Sequence, residues 1–100
     1  MSEGSADGVT IAAIVRGRVQ GVGFRVATRR AAQALGVSGW VANAPDRTVR
    51  AWAQGDPDSV DEFVEFLRMG PPAAHVTDVE VADQYPRPGL VGFEIRHGVA

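Results

Sequence analysis

The chain has 100 residues and a formal net charge of −2, and 45% of its residues are hydrophobic. This length fits a single domain, and the slightly acidic balance is unlike the basic excess that is typical of nucleic-acid-binding proteins. The absence of cysteine excludes a thiol nucleophile, a disulfide framework and a thiolate metal site.

The start of the chain is polar and small, so we expect residues 1–8 to form a disordered tail before one domain over residues 9–100. The tail lacks the basic and apolar segments of a signal peptide. No apolar run is long enough to span a membrane. The sequence therefore predicts a cytoplasmic protein that does not act at a membrane.

The first half of the domain predicts a strand, a helix and a hairpin. Residues 9–19 are apolar on both faces and rich in β-branched residues, as in a strand inside a sheet. Residues 24–35 have apolar side chains at helical spacing, and Gly36 takes the position that usually ends a helix. Residues 37–43 and 49–54 then predict two strands joined by a turn.

The second half predicts a helix followed by two strands. Asp56 is a natural helix N-cap, Pro57 fits the first helical position, and Gly70 begins the Gly-Pro-Pro that stops the helix. Residues 75–82 predict a strand, and a short final strand is expected at residues 93–96.

This order of elements predicts an α+β fold, the ferredoxin-like split βαβ sandwich (βαββαβ). In that arrangement an antiparallel sheet carries two helices packed on one face. Many unrelated functions use it, so the fold alone does not define the chemistry.

A glycine-rich segment, residues 17–25 (GRVQGVGFR), joins the first strand to the first helix. Glycines allow a tight turn that presents several backbone N–H groups toward one point, and the helix N-terminus adds further unpaired N–H groups. Arg25, in the first helical turn, can close such a site with its guanidinium. The segment predicts a phosphate cradle; a tight turn with a solvated Arg25 is the alternative.

Two other phosphate-binding motifs do not fit this segment. A P-loop needs Lys followed by Ser or Thr after its second glycine, but Gly23 leads to Phe24 and Arg25. A dinucleotide fingerprint would need glycine at position 26, which is Val26.

The same segment resembles the Gly-x-Val-Gln-Gly-Val-x-Phe-Arg signature of the acylphosphatase family. Residues 39–43 (GWVAN) resemble the family's second signature, Gly-x-Val-x-Asn, and the resemblance covers about residues 10–97. One departure is Asp46-Arg47, where the family usually has Asp-Gly. A side chain at Arg47 disfavours a turn that needs a positive φ, so a difference from the family is expected at the hairpin tip.

The resemblance implies a hydrolase that cleaves the carboxyl-phosphate anhydride of an acyl phosphate to a carboxylate and inorganic phosphate. Arg25 and Asn43 are the implied catalytic residues, with Asn43 orienting water because a carboxamide is not a strong base. The implied phosphate-binding loop consists of Gln20, Gly21, Val22, Gly23, Phe24 and Arg25.

We expect no metal and no cofactor, because a carboxylate is already a good leaving group. The expected partners are the small-molecule acyl phosphate and its phosphate product, with no nucleic acid, and the size suits a monomer. The two histidines, His75 and His97, lie away from both motifs in the sequence and are expected to be surface residues. Trp40 and Trp52 are expected in the core or on a face of the sheet.

Three alternatives remain at this point. An RNA-binding module on the same fold is suggested superficially by residues 21–26 (GVGFRV), but this segment opens a helix that should bury Phe24. A small-metabolite-binding module would not need both Arg25 and Asn43. Acylphosphatase-like domains also occur in larger carbamoyl-transfer proteins; those continue into zinc-binding domains, whereas this sequence ends at Ala100, and we expect a free-standing enzyme.

Overall fold

The computed structural model describes residues 8–98, so most of the predicted tail, residues 1–7, lies outside the described residues, as do residues 99–100. The order of helices and strands is the one predicted from the sequence, with small shifts at the strand ends. The elements are β1 (Val9–Arg18), α1 (Phe24–Leu35), β2 (Ser38–Asn43), β3 (Val49–Gly55), α2 (Pro57–Met69), β4 (His75–Asp83) and β5 (Phe93–Arg96).

The five strands form one sheet in the order β4-β1-β3-β2-β5. α1 packs on β2 and β5, whereas α2 packs on β1, β3 and β4. Ile11, Ala13 and Val15, alternate residues of β1, share one core with Phe24 of α1 and Phe63 of α2. Both helices therefore cover the same face of the sheet, and the ferredoxin-like prediction is confirmed.

The last strand differs from the predicted antiparallel arrangement. The pairs β1–β3, β1–β4 and β2–β3 are antiparallel, but β5 pairs in parallel with β2. The chain leaves β4 at one edge of the sheet, crosses to the other edge through residues 84–92, and enters β5 running in the direction of β2. The sheet is therefore mixed, and β5 ends beside the end of β2.

The two helices begin in different ways. α2 has the predicted N-cap: the Asp56 carboxylate accepts from the backbone N–H of Asp58 at 3.1 Å and of Ser59 at 3.4 Å. α1 begins after Gly23, and no side chain of the described residues caps it. Its first-turn N–H groups thus remain open to an external acceptor. Over residues 8–98, neither helix is long and apolar enough to cross a membrane.

The turn between β2 and β3 keeps a positive φ despite its side chain. Arg47 has φ 72°, the left-handed region in which the sequence analysis expected an arginine to be disfavoured. The neighbouring carboxylate compensates, because Asp46 accepts from both the backbone N–H and the hydroxyl of Thr48. These bonds, together with Arg50, lower the pKa of Asp46 to about 2.

Candidate active site

Two glycines with left-handed backbone shape the loop between β1 and α1. Gly21 has φ 74° and Gly23 has φ 79°, a region that other residues seldom adopt. Left-handed residues between right-handed ones turn successive N–H groups toward one side, which makes a concave site for an anion. Within the described chain, the backbone N–H groups of residues 20–26 donate to no protein acceptor, and Ala27 donates the first helical bond, to Gly23.

Arg25 is the second residue of α1 and is half-buried at the mouth of this loop. Among residues 8–98 no carboxylate forms an ion pair with it, although four other arginines have such partners. A half-buried guanidinium without an acidic partner retains its donors for a bound anion.

Asn43 is the last residue of β2. It pairs with Val49 of β3, which in turn pairs with Val15 of β1. Val15 and Val49 are fully buried beneath the helices, so this row of side chains faces the helical layer. No acceptor or donor in the described residues bonds the Asn43 carboxamide, which leaves its oxygen and its NH₂ group available.

The two predicted catalytic residues meet in one hollow of about 270 Å³. A structure with Arg25 and Asn43 in separate regions would have contradicted the sequence hypothesis, and the observed geometry does not. The full lining among the described residues is Val19, Gly21, Gly23, Phe24, Arg25, Val26, Asn43, Ile95 and His97. We refer to this space as the Arg25–Asn43 hollow.

Two residues of the predicted phosphate loop do not line the hollow with their side chains. The Gln20 carboxamide instead reaches the β2–β3 turn, where it donates to two backbone carbonyls. Val22 packs against the core. Any contribution of these two residues to phosphate binding is therefore expected from their backbone N–H groups.

His97 is a site residue that the sequence analysis missed. It is exposed, as expected for a surface residue, but it lines the Arg25–Asn43 hollow. The reason is the parallel pairing of β5 with β2, which brings the end of β5 next to Asn43. Distance along the chain gave no sign of this proximity, because only the strand order creates it. His75 is also exposed and does not line the hollow.

The described side chains that line the hollow include basic residues and no acidic residue. Arg25 and His97 are its only charged or titratable lining residues among those described, and no carboxylate lines it. The apolar part of the lining comes from Val19, Phe24, Val26 and Ile95. This combination of open N–H groups, a guanidinium and a carboxamide can bind a small anion and hold a water molecule beside it.

Comparison with known proteins gives a consistent result. Residues 11–95 match the family model described as Acylphosphatase. A protein of Bordetella avium (strain 197N) named "Acylphosphatase" is 56% identical over 71 residues, which cover 71% of this chain and 76% of that protein. A second protein named "Acylphosphatase", from Thermococcus kodakarensis, is 51% identical over 81 residues, which cover 81% of this chain and 88% of that protein.

The fold comparison agrees with the sequence comparison. The solved structure of an acylphosphatase from Coxiella burnetii superimposes with a TM-score of 0.88 at 33% identity, covering 96% of this chain and 100% of that one. The residues matched by the family model include every described lining residue of the hollow except His97.

Proposed function

This chain belongs to the acylphosphatase family of hydrolases, and from that premise we propose that it hydrolyses acyl phosphates in the Arg25–Asn43 hollow. The substrate is a small molecule with a carboxyl-phosphate anhydride, and the products are a carboxylate and inorganic phosphate. The observation that carries this proposal is that Arg25, Asn43 and the open loop share one space of about 270 Å³.

The loop and Arg25 hold the phosphoryl group in this proposal. Phosphoryl transfer needs charge stabilisation on the phosphoryl oxygens more than it needs covalent chemistry from the protein. The N–H groups of residues 20–26, which have no acceptor among residues 8–98, supply donors that need no rearrangement, and the guanidinium of Arg25 supplies a full positive charge. Glycines at the left-handed positions let the backbone itself approach the anion.

Asn43 positions the attacking water. Its carboxamide oxygen accepts a hydrogen bond from the water, and its NH₂ group can donate to a phosphoryl oxygen. Because a carboxamide is not a base, Asn43 acts by orientation alone, which aligns the water oxygen with the phosphorus atom.

The bond changes balance without a protein base. The water oxygen forms a bond to phosphorus while the bond from phosphorus to the acyl oxygen breaks, and its electron pair leaves with the carboxylate. One proton of the water passes to a phosphoryl oxygen, and the other stays on the oxygen that has bonded to phosphorus. Because a carboxylate is stable as an anion, we expect activity with benzoyl phosphate to persist in the presence of a chelator.

The experiment compares Arg25→Gln and Asn43→Ala in hydrolysis of benzoyl phosphate and in binding of inorganic phosphate. We expect Arg25→Gln to lose activity by about 10²–10³-fold or more and to lose phosphate binding with it. Asn43→Ala should lose turnover but still bind phosphate, because the loop and Arg25 remain.

Arg30→Gln is the matched control, because Arg30 is exposed on the same helix and does not line the hollow. The proposal fails if Arg25→Gln hydrolyses the substrate as fast as Arg30→Gln.

The proposal also fails if the wild-type protein is inactive and binds RNA instead. The burial of Phe24, which is 2% exposed, removes the one aromatic ring of its segment that could stack on a base.

A further inference from the structure

His97 lies beside Asn43 because of the register between β5 and β2. Val41 is opposite Ile95 and Ala42 is opposite Arg96, the last residue of β5. Asn43 and His97 are the next residues along the two chain segments, and both line the hollow. Side chains alternate along a strand, and Phe93 and Ile95 belong to the core side of the sheet. His97 comes directly after β5 and two residues beyond Ile95, and it lies on the side of the hollow, whose lining includes both residues.

The charged groups around this imidazole can be named element by element. α1 contributes Arg25 to the hollow, and β2 contributes only the neutral Asn43. On β5 itself, Arg96 lies on the opposite face, 5.0 Å from the centre of the Trp40 ring, and is paired with Glu94 at 3.0 Å. Arg29, one turn beyond Arg25, does not line the hollow.

We propose that His97 is a second, proton-dependent cation of the anion site, so that phosphate-like anions bind more tightly when its imidazole is protonated. This inference rests on the proposed function, because it assumes that the anion binds next to Arg25. Histidine side chains change charge between about pH 5 and pH 8. With a proton on its imidazole, His97 adds a positive charge to a lining that holds no carboxylate among the described residues; without that proton, Arg25 is the one charged residue in that described lining.

Charge alone determines whether protonation of His97 raises or lowers the affinity for an anion. Protonation of His97 introduces an attraction to a doubly charged anion, whereas loss of the proton removes it without adding repulsion. The imidazole is exposed, so solvent screens the interaction. We expect a change in affinity of about three- to tenfold, the size of an exposed charge pair acting on a doubly charged partner.

The experiment uses sulfate as the probe, because sulfate keeps two negative charges across this range whereas phosphate itself titrates. The dissociation constant of sulfate is measured at about pH 5 and about pH 8, at constant ionic strength, at the two ends of the range in which histidine side chains change charge. The proteins compared are the full-length wild type, His97→Gln, His97→Lys and His75→Gln.

We expect the wild type to bind sulfate about three- to tenfold more tightly at the lower pH. His97→Gln should bind weakly at both values, and His97→Lys tightly at both, because a lysine stays charged throughout. His75→Gln should behave as the wild type, since His75 is exposed but does not line the hollow.

The inference is overturned if His97→Gln keeps the pH dependence of the wild type, or if His75→Gln removes it equally. It is also overturned if wild-type affinity does not change with pH. If the wild type binds no sulfate at either pH, the anion site itself is disproved, and with it the proposed function.

Discussion

The side-chain amide of Gln20 donates a 2.9 Å hydrogen bond to the carbonyl oxygen of Ala44. The same amide donates to the carbonyl of Thr48 at 3.0 Å, so one NH₂ group spans both sides of the β2–β3 turn. Ala44 directly follows Asn43. The glycine-rich loop and the strand end that carries Asn43 are thereby tied together, and Gln20 sets their separation without lining the hollow.

Replacing Gln20 with methionine removes both bonds while keeping the length of the side chain. We expect the stability of the fold to fall by about 1–3 kcal/mol, at roughly 1 kcal/mol for each bond. We also expect kcat for an acyl phosphate to fall by about tenfold, because a small displacement of Asn43 misaligns the water. The dissociation constant for phosphate should change little, because the loop N–H groups and Arg25 remain.

The control for this variant is Gln33→Met, an exposed position on α1 away from the hollow. It should change neither kcat nor stability appreciably. A Gln20→Met protein that is less stable but turns over at the wild-type rate would show that Gln20 has a structural role alone.

Local patterns predicted most of this fold, because the relevant signals are short-range. The helical spacing of residues 24–35, the Asp56 cap and the glycines that end each helix all act within a turn or two of the chain. Arg25 and Asn43 were predicted as site residues because they belong to two compact motifs, and both line the hollow.

The parts that sequence reasoning missed depend on contacts between distant segments. The position of His97 follows from the parallel pairing of β5 with β2, which no local pattern encodes. Gln20 bonds Ala44 and Thr48 in the turn, and these two residues are 24 and 28 positions further along the chain. The positive φ of Arg47 is tolerated because Asp46 bonds Thr48. The turn propensity of arginine does not take this hydrogen bond between neighbouring residues into account.

Arg47→Gly should stabilise the protein. Arg47 holds φ 72°, a conformation that costs a residue with a Cβ atom about 1–2 kcal/mol and costs glycine almost nothing. Part of the gain is lost because glycine is more flexible in the unfolded chain, so we expect a net increase of about 1 kcal/mol in the free energy of unfolding. Arg47→Ala is the control, since alanine keeps the Cβ atom. Equal stability of the two variants in urea denaturation would rule out backbone strain as the cause.

Asp46 should make the stability of the protein depend on acid pH. Thr48 is the main cause of its lowered pKa of about 2, and Arg50 contributes through a 3.1 Å ion pair. Because the folded pKa lies below the unfolded value, this contribution is complete above about pH 4 and disappears as the pH falls through about 2.

Asp46→Asn tests this dependence. The variant should melt at a lower temperature than the wild type near neutral pH, because asparagine carries no charge to pair with Arg50. The difference in Tm should shrink between about pH 4 and pH 2, as Asp46 of the wild type takes up its proton. A difference that stays constant down to pH 2 would show that Asp46 is not preferentially ionised in the folded state.

Thr28 lies wholly inside the protein, with an exposed fraction of 0%, and its hydroxyl has no hydrogen-bond partner among the described residues. Burying a hydroxyl without a partner costs about 1–3 kcal/mol, and valine has nearly the same shape without the polar atom. We therefore expect Thr28→Val to raise the free energy of unfolding by about 1 kcal/mol or more.

Thr10→Val is the matched comparison for Thr28→Val, and its effect should have the opposite sign. Thr10 is also buried, at 6% exposure, but its hydroxyl donates to the Gln54 carboxamide at 3.0 Å. Valine at this position leaves the Gln54 oxygen with one donor fewer, so we expect a loss of about 1 kcal/mol. Urea denaturation of both variants measures the contrast. If both substitutions shift stability in the same direction, hydrogen-bond satisfaction is not what distinguishes these two threonines.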